Sequence, residues 1–360
     1  MGNKYYNYKE VNDWGDGSYL SGNTDFDFQR FIHSEGGKYV IKARGFMTRY
    51  SDVDDPELLK YWEDMGVRCE IRVTEGEKWL AFVPLEAYEN KEMNLPVVAI
   101  FRPVELLAIA FYEYMIDLAA QGEFIALIYS SEDLNTNDLF YDMIQETLRD
   151  FPIDPSRVYV TGHSHYGEFA MEFMRRHHKS IAAVGQQGDT AGIILDFYGS
   201  TQEGVELMTS IDMPVINVAG TTEMVGIFPM NTDAPGVPED SPLRGRSFPM
   251  NRDDRIVSWK RRLYAMRCPI PSDEEIIAAA NGNKVERVLG FPVDRADIVY
   301  AEGSECYIGD IKNIDGNFRF RTVAMENIPH TTSRFMHVLT WSFLRRFARD
   351  LKTGEVIELY

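Results

Sequence analysis

The stretch Arg157-Val-Tyr-Val-Thr-Gly-His-Ser-His-Tyr-Gly167 decides the fold of this chain. It begins as an apolar strand and ends in a tight turn with Ser164 at its apex. A helix is predicted directly after the turn, because apolar residues recur there at helical spacing: Phe169, Ala170, Phe173 and Met174. The order strand, serine turn and helix is typical of a serine that is exposed for nucleophilic attack.

The glycines of this turn depart from the usual GxSxG pattern, in which small residues let the turn fit against the neighbouring strand and helix. Gly162 occupies the first small position, but Tyr166 occupies the second, and Gly167 follows one residue later. The motif therefore reads GxSxxG. Catalysis by Ser164 is a hypothesis that needs partners elsewhere in the chain.

Strands and helices alternate on both sides of the serine turn. The segments 67–73 and 78–84 alternate in polarity and predict a hairpin, whereas 95–101 is a continuous apolar run, as in a strand buried on both faces. Further strands are predicted at 124–129, 181–184, 214–218 and 318–324, and helices at 106–120, 137–149 and 333–351. This order predicts an α/β fold with a mostly parallel central sheet and helices on both faces.

Two regions depart from this alternation. Residues 1–66 are aromatic and acidic and predict an N-terminal extension packed on the α/β domain of residues 67–360, with a helix at 56–65. Residues from about 226 to 310 contain a long loop rich in Pro, Asn and Asp, followed by helices at 255–266 and 273–280 and a hairpin-like segment. We expect a lid-like insertion before the last core strand.

Composition limits the class of partner. A net charge of -19 disfavours nucleic acid and anionic membrane surfaces, so we expect a neutral or cationic small-molecule substrate. The three cysteines, Cys69, Cys268 and Cys306, are widely spaced and indicate neither a disulfide framework nor a zinc site. We expect a cytoplasmic protein, because no signal-peptide segment or membrane span is visible. We also expect neither a cofactor nor a metal. Assembly into a homo-oligomer stays open.

A serine hydroxyl is a poor nucleophile and needs a histidine base, which is oriented by a carboxylate. In α/β-hydrolases, which the strand, serine turn and helix resemble, the three follow in the order serine, acid, histidine, so the base would come well after Ser164. Two of the seven histidines satisfy that order. His337 falls within the closing helix, where a partly exposed histidine without a catalytic role is expected, and His330 falls in the loop before it. His330 is therefore the candidate base.

The candidate acid follows a core strand. The strand at 214–218 runs into Ala219-Gly-Thr-Thr-Glu223, which puts a carboxylate at the edge of the sheet where the serine turn also lies. Glu223 is the first choice, and Asp233 replaces it if the loop folds back differently. His163 and His165 form an HxH pair beside the serine, but no carboxylate or cysteine cluster accompanies them, so no metal site is predicted.

Three segments resemble the α/β-hydrolase superfamily, in particular its polyhydroxybutyrate depolymerase and feruloyl or acetyl xylan esterase-like branch. They are the segment from Ile153 to Ser164, the turn Gly220-Thr-Thr-Glu223, and His330 followed by a helix containing Trp341-Ser-Phe343. The resemblance covers about residues 67–360. It implies an α/β-hydrolase fold with Ser164 as nucleophile, Glu223 as acid and His330 as base.

The resemblance also implies an oxyanion hole. One donor is the main-chain N–H of His165, the residue after the nucleophile. The second comes from the turn after strand 95–101, where the family usually has His-Gly and this chain has Arg102-Pro103. Because proline has no N–H, the second donor would be the amide of Val104 or the side chain of Arg102. His163 and Tyr166, on either side of the serine, are candidates for the substrate pocket.

The leading hypothesis is a serine esterase that cleaves a small-molecule carboxylic ester through an acyl-enzyme. A peptidase or thioesterase with the same triad is an alternative. A catalytically silent α/β-hydrolase fold that serves as a binding module is another, because Arg102-Pro103 and Tyr166 depart from the family pattern. The acyl and alcohol groups of the substrate stay open.

Overall fold

The computed structural model describes residues 25–130, 137–188, 209–223, 228–233 and 251–360. The strands of these residues are β1 (Val67–Thr74), β2 (Glu77–Pro84), β3 (Leu95–Phe101), β4 (Ile125–Tyr129), β5 (Ile153–His163), β6 (Ala183–Gln187), β7 (Val215–Gly220), β8 (Arg295–Ala301), β9 (Ser304–Lys312), β10 (Phe318–Met325), β11 (Phe347–Arg349) and β12 (Val356–Glu358). The helices are α1 (Phe28–His33), α2 (Glu35–Arg49), α3 (Pro56–Met65), α4 (Glu86–Glu89), α5 (Leu106–Ala110), α6 (Glu113–Ala120), α7 (Asn137–Asp150), α8 (His165–His177), α9 (Arg252–Ala265), α10 (Asp273–Ala279), α11 (Lys284–Leu289) and α12 (Arg334–Leu344).

Ten strands form one sheet in the order β1-β2-β4-β3-β5-β6-β7-β10-β9-β8, and β11 and β12 pair separately. The six strands from β4 to β10 in that order are parallel to one another. Antiparallel strands flank them, β1 and β2 at one edge and β9 and β8 at the other. This strand order, with the serine turn after β5, is the α/β-hydrolase fold predicted from the sequence.

The parallel part of the sheet is buried on both faces. Along β3, successive side chains alternate between two apolar clusters: Val97, Ala99 and Phe101 belong to one, and Val98 and Ile100 to the other. The first cluster contains the apolar face of α8, and the second contains α12 and the described part of the N-terminal extension, α1 to α3. The aromatic residues before residue 25 lie outside the described part of the chain.

The insertion expected as a lid differs from that expectation in its described residues. β8 and β9 extend the main sheet instead of standing over it. The helices α9 and α11 bury Trp259, Leu263 and Leu289 in the same apolar cluster as the sheet. The described part of the insertion is therefore built into the core, because its apolar side chains are needed to cover β9 and β10.

Several helices also differ from the sequence prediction. The helices α1, α2, α4 and α11 were not predicted. The closing helix predicted over 333–351 ends at Leu344, because Phe347–Arg349 instead pair with β12 as strand β11. The single helix predicted over 106–120 is broken into α5 and α6. The break lies at Phe111, whose carbonyl accepts hydrogen bonds from three distant side chains: Tyr39 Oη, Thr332 Oγ1 and His337 Nε2. In the part of the chain described above, no helix has the length and apolar composition that crossing a bilayer requires.

Parallel strands bring their carboxyl ends to one edge of the sheet. The residues directly after β3, β5 and β7, and the loop after β10, meet at that edge. They include Arg102, Ser164, Glu223 and His330, which are the residues from which the site is built.

Candidate active site

Ser164 lies in the turn between β5 and α8 with φ 57° and ψ -132°. Residues other than glycine rarely adopt a positive φ, and such strain is typical of functional turns. Main-chain hydrogen bonds hold the conformation: the Ser164 N–H donates to the Gln187 carbonyl at 2.8 Å, and the Ser164 carbonyl accepts from the Gly167 N–H at 2.8 Å. The turn therefore presents the serine side chain away from the strand.

The unusual glycine pattern of this turn has a geometric explanation. A Cβ at position 162 would lie 2.1 Å from the Tyr166 carbonyl, so Gly162 is required where the turn crosses the strand. Tyr166, at the second small position, is only partly buried and its ring packs 5.7 Å from the ring of Phe169. A large side chain is thus accommodated at the position where the usual motif has glycine.

Ser164, His330 and Glu223 form a hydrogen-bonded chain. His330 Nε2 lies 2.7 Å from Ser164 Oγ, and His330 Nδ1 lies 2.5 Å from Glu223 Oε2. Glu223 is fully buried, and its other oxygen accepts a hydrogen bond from the Gly220 N–H at 3.3 Å. The structure thus brings together the three residues that chain order singled out as nucleophile, base and acid.

The loops that carry His330 and Glu223 are joined through their main chains. The Thr221 N–H donates to the Met325 carbonyl at 2.9 Å, and the Asn327 N–H donates to Thr221 Oγ1 at 3.0 Å. A Cβ at Gly220 would lie 1.7 Å from the Ile328 carbonyl. Only glycine permits this approach, so the carboxylate and the imidazole are positioned by two loops in direct backbone contact.

Asp233, the alternative acid, lies elsewhere. It is exposed, and its Oδ1 accepts a hydrogen bond from the Arg252 N–H at 2.6 Å, next to the start of α9. The hydrogen-bond partners of His330 are Ser164 and Glu223. Asp233 therefore has a local role at the beginning of a helix, and Glu223 occupies the position expected of the acid.

His163 is buried beside the triad, with its ring centroid 4.8 Å from that of His330. An Arg102 guanidinium nitrogen lies 3.2 Å from His163 Nδ1. Because a guanidinium can only donate, His163 Nδ1 accepts and the hydrogen of the neutral ring resides on Nε2. Burial, followed by the neighbouring His330 and Arg102, holds the pKa of His163 well below its usual value. His163 is therefore a neutral residue in the wall of the site.

The residues proposed for the oxyanion hole lie around the same turn. The main-chain N–H of Arg102 donates to the Tyr129 carbonyl at 2.9 Å, so only the side chain of Arg102 faces the site. Within the described residues, the Val104 N–H makes no hydrogen bond. His165 is the first residue of α8, and its ring faces Glu168, with Nδ1 2.8 Å from Glu168 Oε2. The main-chain amide of His165 stays the predicted first donor, and the amide of Val104 or the side chain of Arg102 stays the predicted second one.

His337 is fully buried, whereas a partly exposed position was expected. Its Nε2 donates to the Phe111 carbonyl at 2.8 Å, and its Nδ1 accepts from Gln187 Nε2 at 3.1 Å. Burial lowers the pKa of His337 to about 4. The prediction was wrong because the face of α12 that carries His337 packs on the sheet.

Gln187 is a residue that sequence reasoning missed. Its side chain is buried and donates to His337 and Thr340, while its main-chain carbonyl accepts the Ser164 N–H. It therefore connects the serine turn to α12. Its position at the carboxyl end of a buried strand next to β5 is the signal that could have identified it.

The described residues contain no group of three His, Cys, Asp or Glu side chains that could hold a metal ion. His163 and His165 diverge, since one faces Arg102 and the other faces Glu168. The chemistry available at this edge is thus that of a serine, an imidazole and a buried carboxylate in line, with a cation beside them.

A scan against protein-family models matched none, and a search of curated proteins also found no match. Among solved structures, the chain is similar to an acetyl xylan esterase from Aspergillus awamori, with 11% identity, a TM-score of 0.46, and coverage of 77% of this chain and 99% of that one. It is also similar to a ferulic acid esterase, with 12% identity, a TM-score of 0.37, and coverage of 57% and 86%. At these identities and TM-scores we draw no conclusion from the similarities. The assignment of the fold is based on the strand order and the serine turn.

Proposed function

We propose that this chain is a serine hydrolase that cleaves carboxylic esters through an acyl-enzyme, with Ser164 as nucleophile, His330 as base and Glu223 as acid. The observation that carries the proposal is the hydrogen-bonded chain from Ser164 Oγ through His330 to the buried Glu223. The strained backbone at Ser164 supports it, because such a turn exposes the hydroxyl.

In the first half of the proposed reaction, Ser164 Oγ attacks the ester carbonyl carbon while His330 Nε2 accepts the hydroxyl proton. Glu223 accepts a hydrogen bond from His330 Nδ1–H, which fixes the tautomer and stabilises the imidazolium that forms. The negative charge on the carbonyl oxygen is stabilised by the amides of His165 and Val104. When the tetrahedral intermediate collapses, the imidazolium protonates the departing alcohol.

In the second half, water attacks the acyl group on Ser164 with His330 as base again. The second tetrahedral intermediate expels Ser164 Oγ, which takes back its proton from His330, and the carboxylic acid leaves. Removal of one oxyanion donor from such a site costs about 100- to 1000-fold in rate, so two amide donors matter to this mechanism.

Hydrolysis of acetyl, butyryl, feruloyl and hydroxyacyl esters tests the proposal. We expect the wild type to hydrolyse at least one class, and Ser164→Ala or His330→Gln to lower kcat by up to about a millionfold. Ser342→Ala, at an exposed serine of α12, is the matched control and should keep full activity. Equal rates for the wild type and Ser164→Ala would refute the proposal.

The same triad could act on thioesters or peptides, and a silent fold could bind a ligand without turnover. No distance in the site favours either alternative over ester hydrolysis. The matching thioester and amide, offered in the same assay, separate the first from the proposed activity. A silent binding module would hydrolyse none of the three.

A further inference from the structure

The side chain of Arg102 puts a positive charge beside the triad. β3 and β5 are parallel neighbours with Phe101 opposite Gly162, so the next residues, Arg102 and His163, leave the sheet side by side. The guanidinium reaches His163 Nδ1 at 3.2 Å, and the His163 ring packs against the His330 ring with 4.8 Å between centroids. Arg102 is therefore one side chain removed from the proposed base.

No acid neutralises this charge in the described part of the chain. The contacts of the guanidinium are His163 and three aromatic rings, those of Phe111, Tyr112 and Tyr166, about 6 Å away. Its Nε is buried and has no hydrogen-bond partner among those residues. A half-buried cation is costly unless it is paired, so this site differs from an ordinary structural arginine.

Three other arginines with little exposure have carboxylate or carbonyl acceptors. Arg321 donates to Asp310 at 2.6 Å, and Arg319 donates to Asp212 at 3.2 Å. Arg349 donates to main-chain carbonyls, including that of Ile181 at 2.8 Å. Arg102 instead has a neutral imidazole as its hydrogen-bond acceptor, because burial and the guanidinium itself keep the pKa of His163 low. The positive charge at the site thus stays available.

We propose that Arg102 binds a carboxylate of the substrate, so that the preferred esters carry a free carboxylate on their acyl or alcohol part. A guanidinium presents planar, paired donors that match the two oxygens of a carboxylate. The aromatic rings around it strengthen the interaction by limiting the access of water. The inference rests on the proposed ester hydrolysis at Ser164.

A monoanion fits better than a multiply charged group. The net charge of -19 repels anions at long range, and this repulsion grows with the charge of the ligand. That net charge led to the expectation of a neutral or cationic substrate. The local cation at the triad points to a singly charged carboxylate instead.

A matched substrate pair tests this inference. The substrates are monoethyl esters of malonic, succinic, glutaric and adipic acid. Each is compared with the ethyl ester in which a primary amide replaces the free carboxylate, because that compound is close in size and uncharged. We expect kcat/KM of the wild type to favour the acid over the amide by about 10- to 100-fold for at least one chain length, the value of a hydrogen-bonded charge. No preference at any chain length would overturn the inference.

Arg102→Gln should reduce that ratio to near one, and Arg102→Lys should keep part of it, since lysine retains the charge without the paired donors. Arg68→Gln, which removes an exposed arginine paired with Glu63, is the control and should keep the wild-type ratio. If Arg102→Gln slows both esters equally and the ratio persists, the side chain acts on the oxyanion or on His163, and carboxylate recognition is wrong.

Failure of carboxylate binding by Arg102 and failure of the proposed ester hydrolysis give different results. If the wild type hydrolyses the half-amide and the acid equally, ester hydrolysis stands and only the inference on Arg102 falls. If no ester is hydrolysed and Ser164 does not react with a fluorophosphonate, the proposed function falls as well, and this inference falls with it. The wild-type ratio needs no variant, so an unfolded Arg102→Gln does not block the test.

Discussion

At Ser164, the chain maintains a backbone conformation of a kind that costs about 1–3 kcal/mol. Hydrogen bonds to Gln187 and from Gly167 hold this conformation on both sides of the residue. The same conformation puts Ser164 Oγ within 2.7 Å of His330 Nε2. The strain and the hydrogen bond are both what the proposed role of Ser164 as a nucleophile requires.

The choice between two acids gives a first prediction. Glu223→Gln should lower kcat/KM by about 10,000-fold, because the imidazole loses the carboxylate that sets its tautomer. Asp233→Asn should change kcat/KM by no more than a few-fold, since the hydrogen bond of Asp233 among the described residues is to the Arg252 N–H at the start of α9. Steady-state kinetics on the best ester measures both. A crippled Asp233→Asn with an active Glu223→Gln would show that the acid is misassigned.

The buried His337 gives a second prediction, on stability. Its pKa is about 4 in the folded protein and about 6.5 in the unfolded chain. Between these values the unfolded chain binds a proton that the folded protein does not, so stability is complete above pH 6.5 and falls as the pH drops toward 4. The difference between the two pKa values corresponds to a loss of about 3 kcal/mol in the free energy of unfolding.

Urea unfolding of the wild type and His337→Gln between pH 7 and 4 measures this effect. The wild type should lose more stability on acidification than the variant, which lacks the titrating ring. Burial and Glu113 raise the pKa of Asp117 to about 6, so protonation of Asp117 opposes the loss of stability at low pH. This effect is the same in both proteins, and it cancels when the losses of unfolding free energy of the wild type and His337→Gln are subtracted. Identical pH profiles would mean that His337 titrates normally.

At the scale of elements, the site depends on two loops that approach each other through their backbones. Gly220 ends β7 under the Ile328 carbonyl of the loop after β10, and Glu223 and His330 follow within a few residues. Displacement of one loop therefore changes the distance between carboxylate and imidazole.

Gly220→Ala should destabilise the protein by about 1–3 kcal/mol or more, because its Cβ would overlap the carbonyl of Ile328. It should also lower kcat, since His330 is displaced. Gly45→Ala is the matched control: its Cβ would meet nothing within 4 Å, and alanine within α2 should stabilise by about 0.5–1 kcal/mol. Thermal unfolding and ester kinetics report both. Unchanged stability and kcat in Gly220→Ala would contradict the close contact between Gly220 and the Ile328 carbonyl.

Much of the fold could be predicted from sequence because the parallel strands are continuous apolar runs and the serine turn joins two such elements. The three residues chosen by chain order, Ser164, Glu223 and His330, are the ones that the structure brings together. Chain order limited the choice of base because two of the seven histidines, His330 and His337, come after the candidate acid.

The parts that sequence did not predict depend on contacts between distant segments. The break at Phe111 accompanies hydrogen bonds from Tyr39, Thr332 and His337, none of which is near in sequence. The role of Gln187 likewise needs the pairing of β5 with β6 and the packing of α12. Hydrophobic periodicity carries no information on such partners.

At the scale of the molecule, the sheet and the described part of the insertion share one core. Trp259 of α9 is 2% exposed, and its ring lies 4.5 Å from that of Phe291 and 5.6 Å from that of Phe320 in β10. The insertion thus covers the sheet at the β10 side. We expect it to unfold together with the rest of the domain.

Trp259→Ala should lower the free energy of unfolding by about 3–5 kcal/mol. Tyr264→Ala, at an exposed position of the same helix, should cost far less. Hydrogen exchange in α9 and in β5 should accelerate together in Trp259→Ala, as expected for one cooperative unit. Faster exchange confined to α9 would mean that the insertion is an independent lid.

In the proposed mechanism Ser164 is an activated nucleophile, and labelling with a fluorophosphonate followed by peptide mass spectrometry measures that reactivity. We expect one adduct on the folded wild type, on Ser164, with no label on Ser164→Ala and strongly slowed labelling of His330→Gln. A folded wild type that hydrolyses no ester and leaves Ser164 unlabelled would contradict this mechanism.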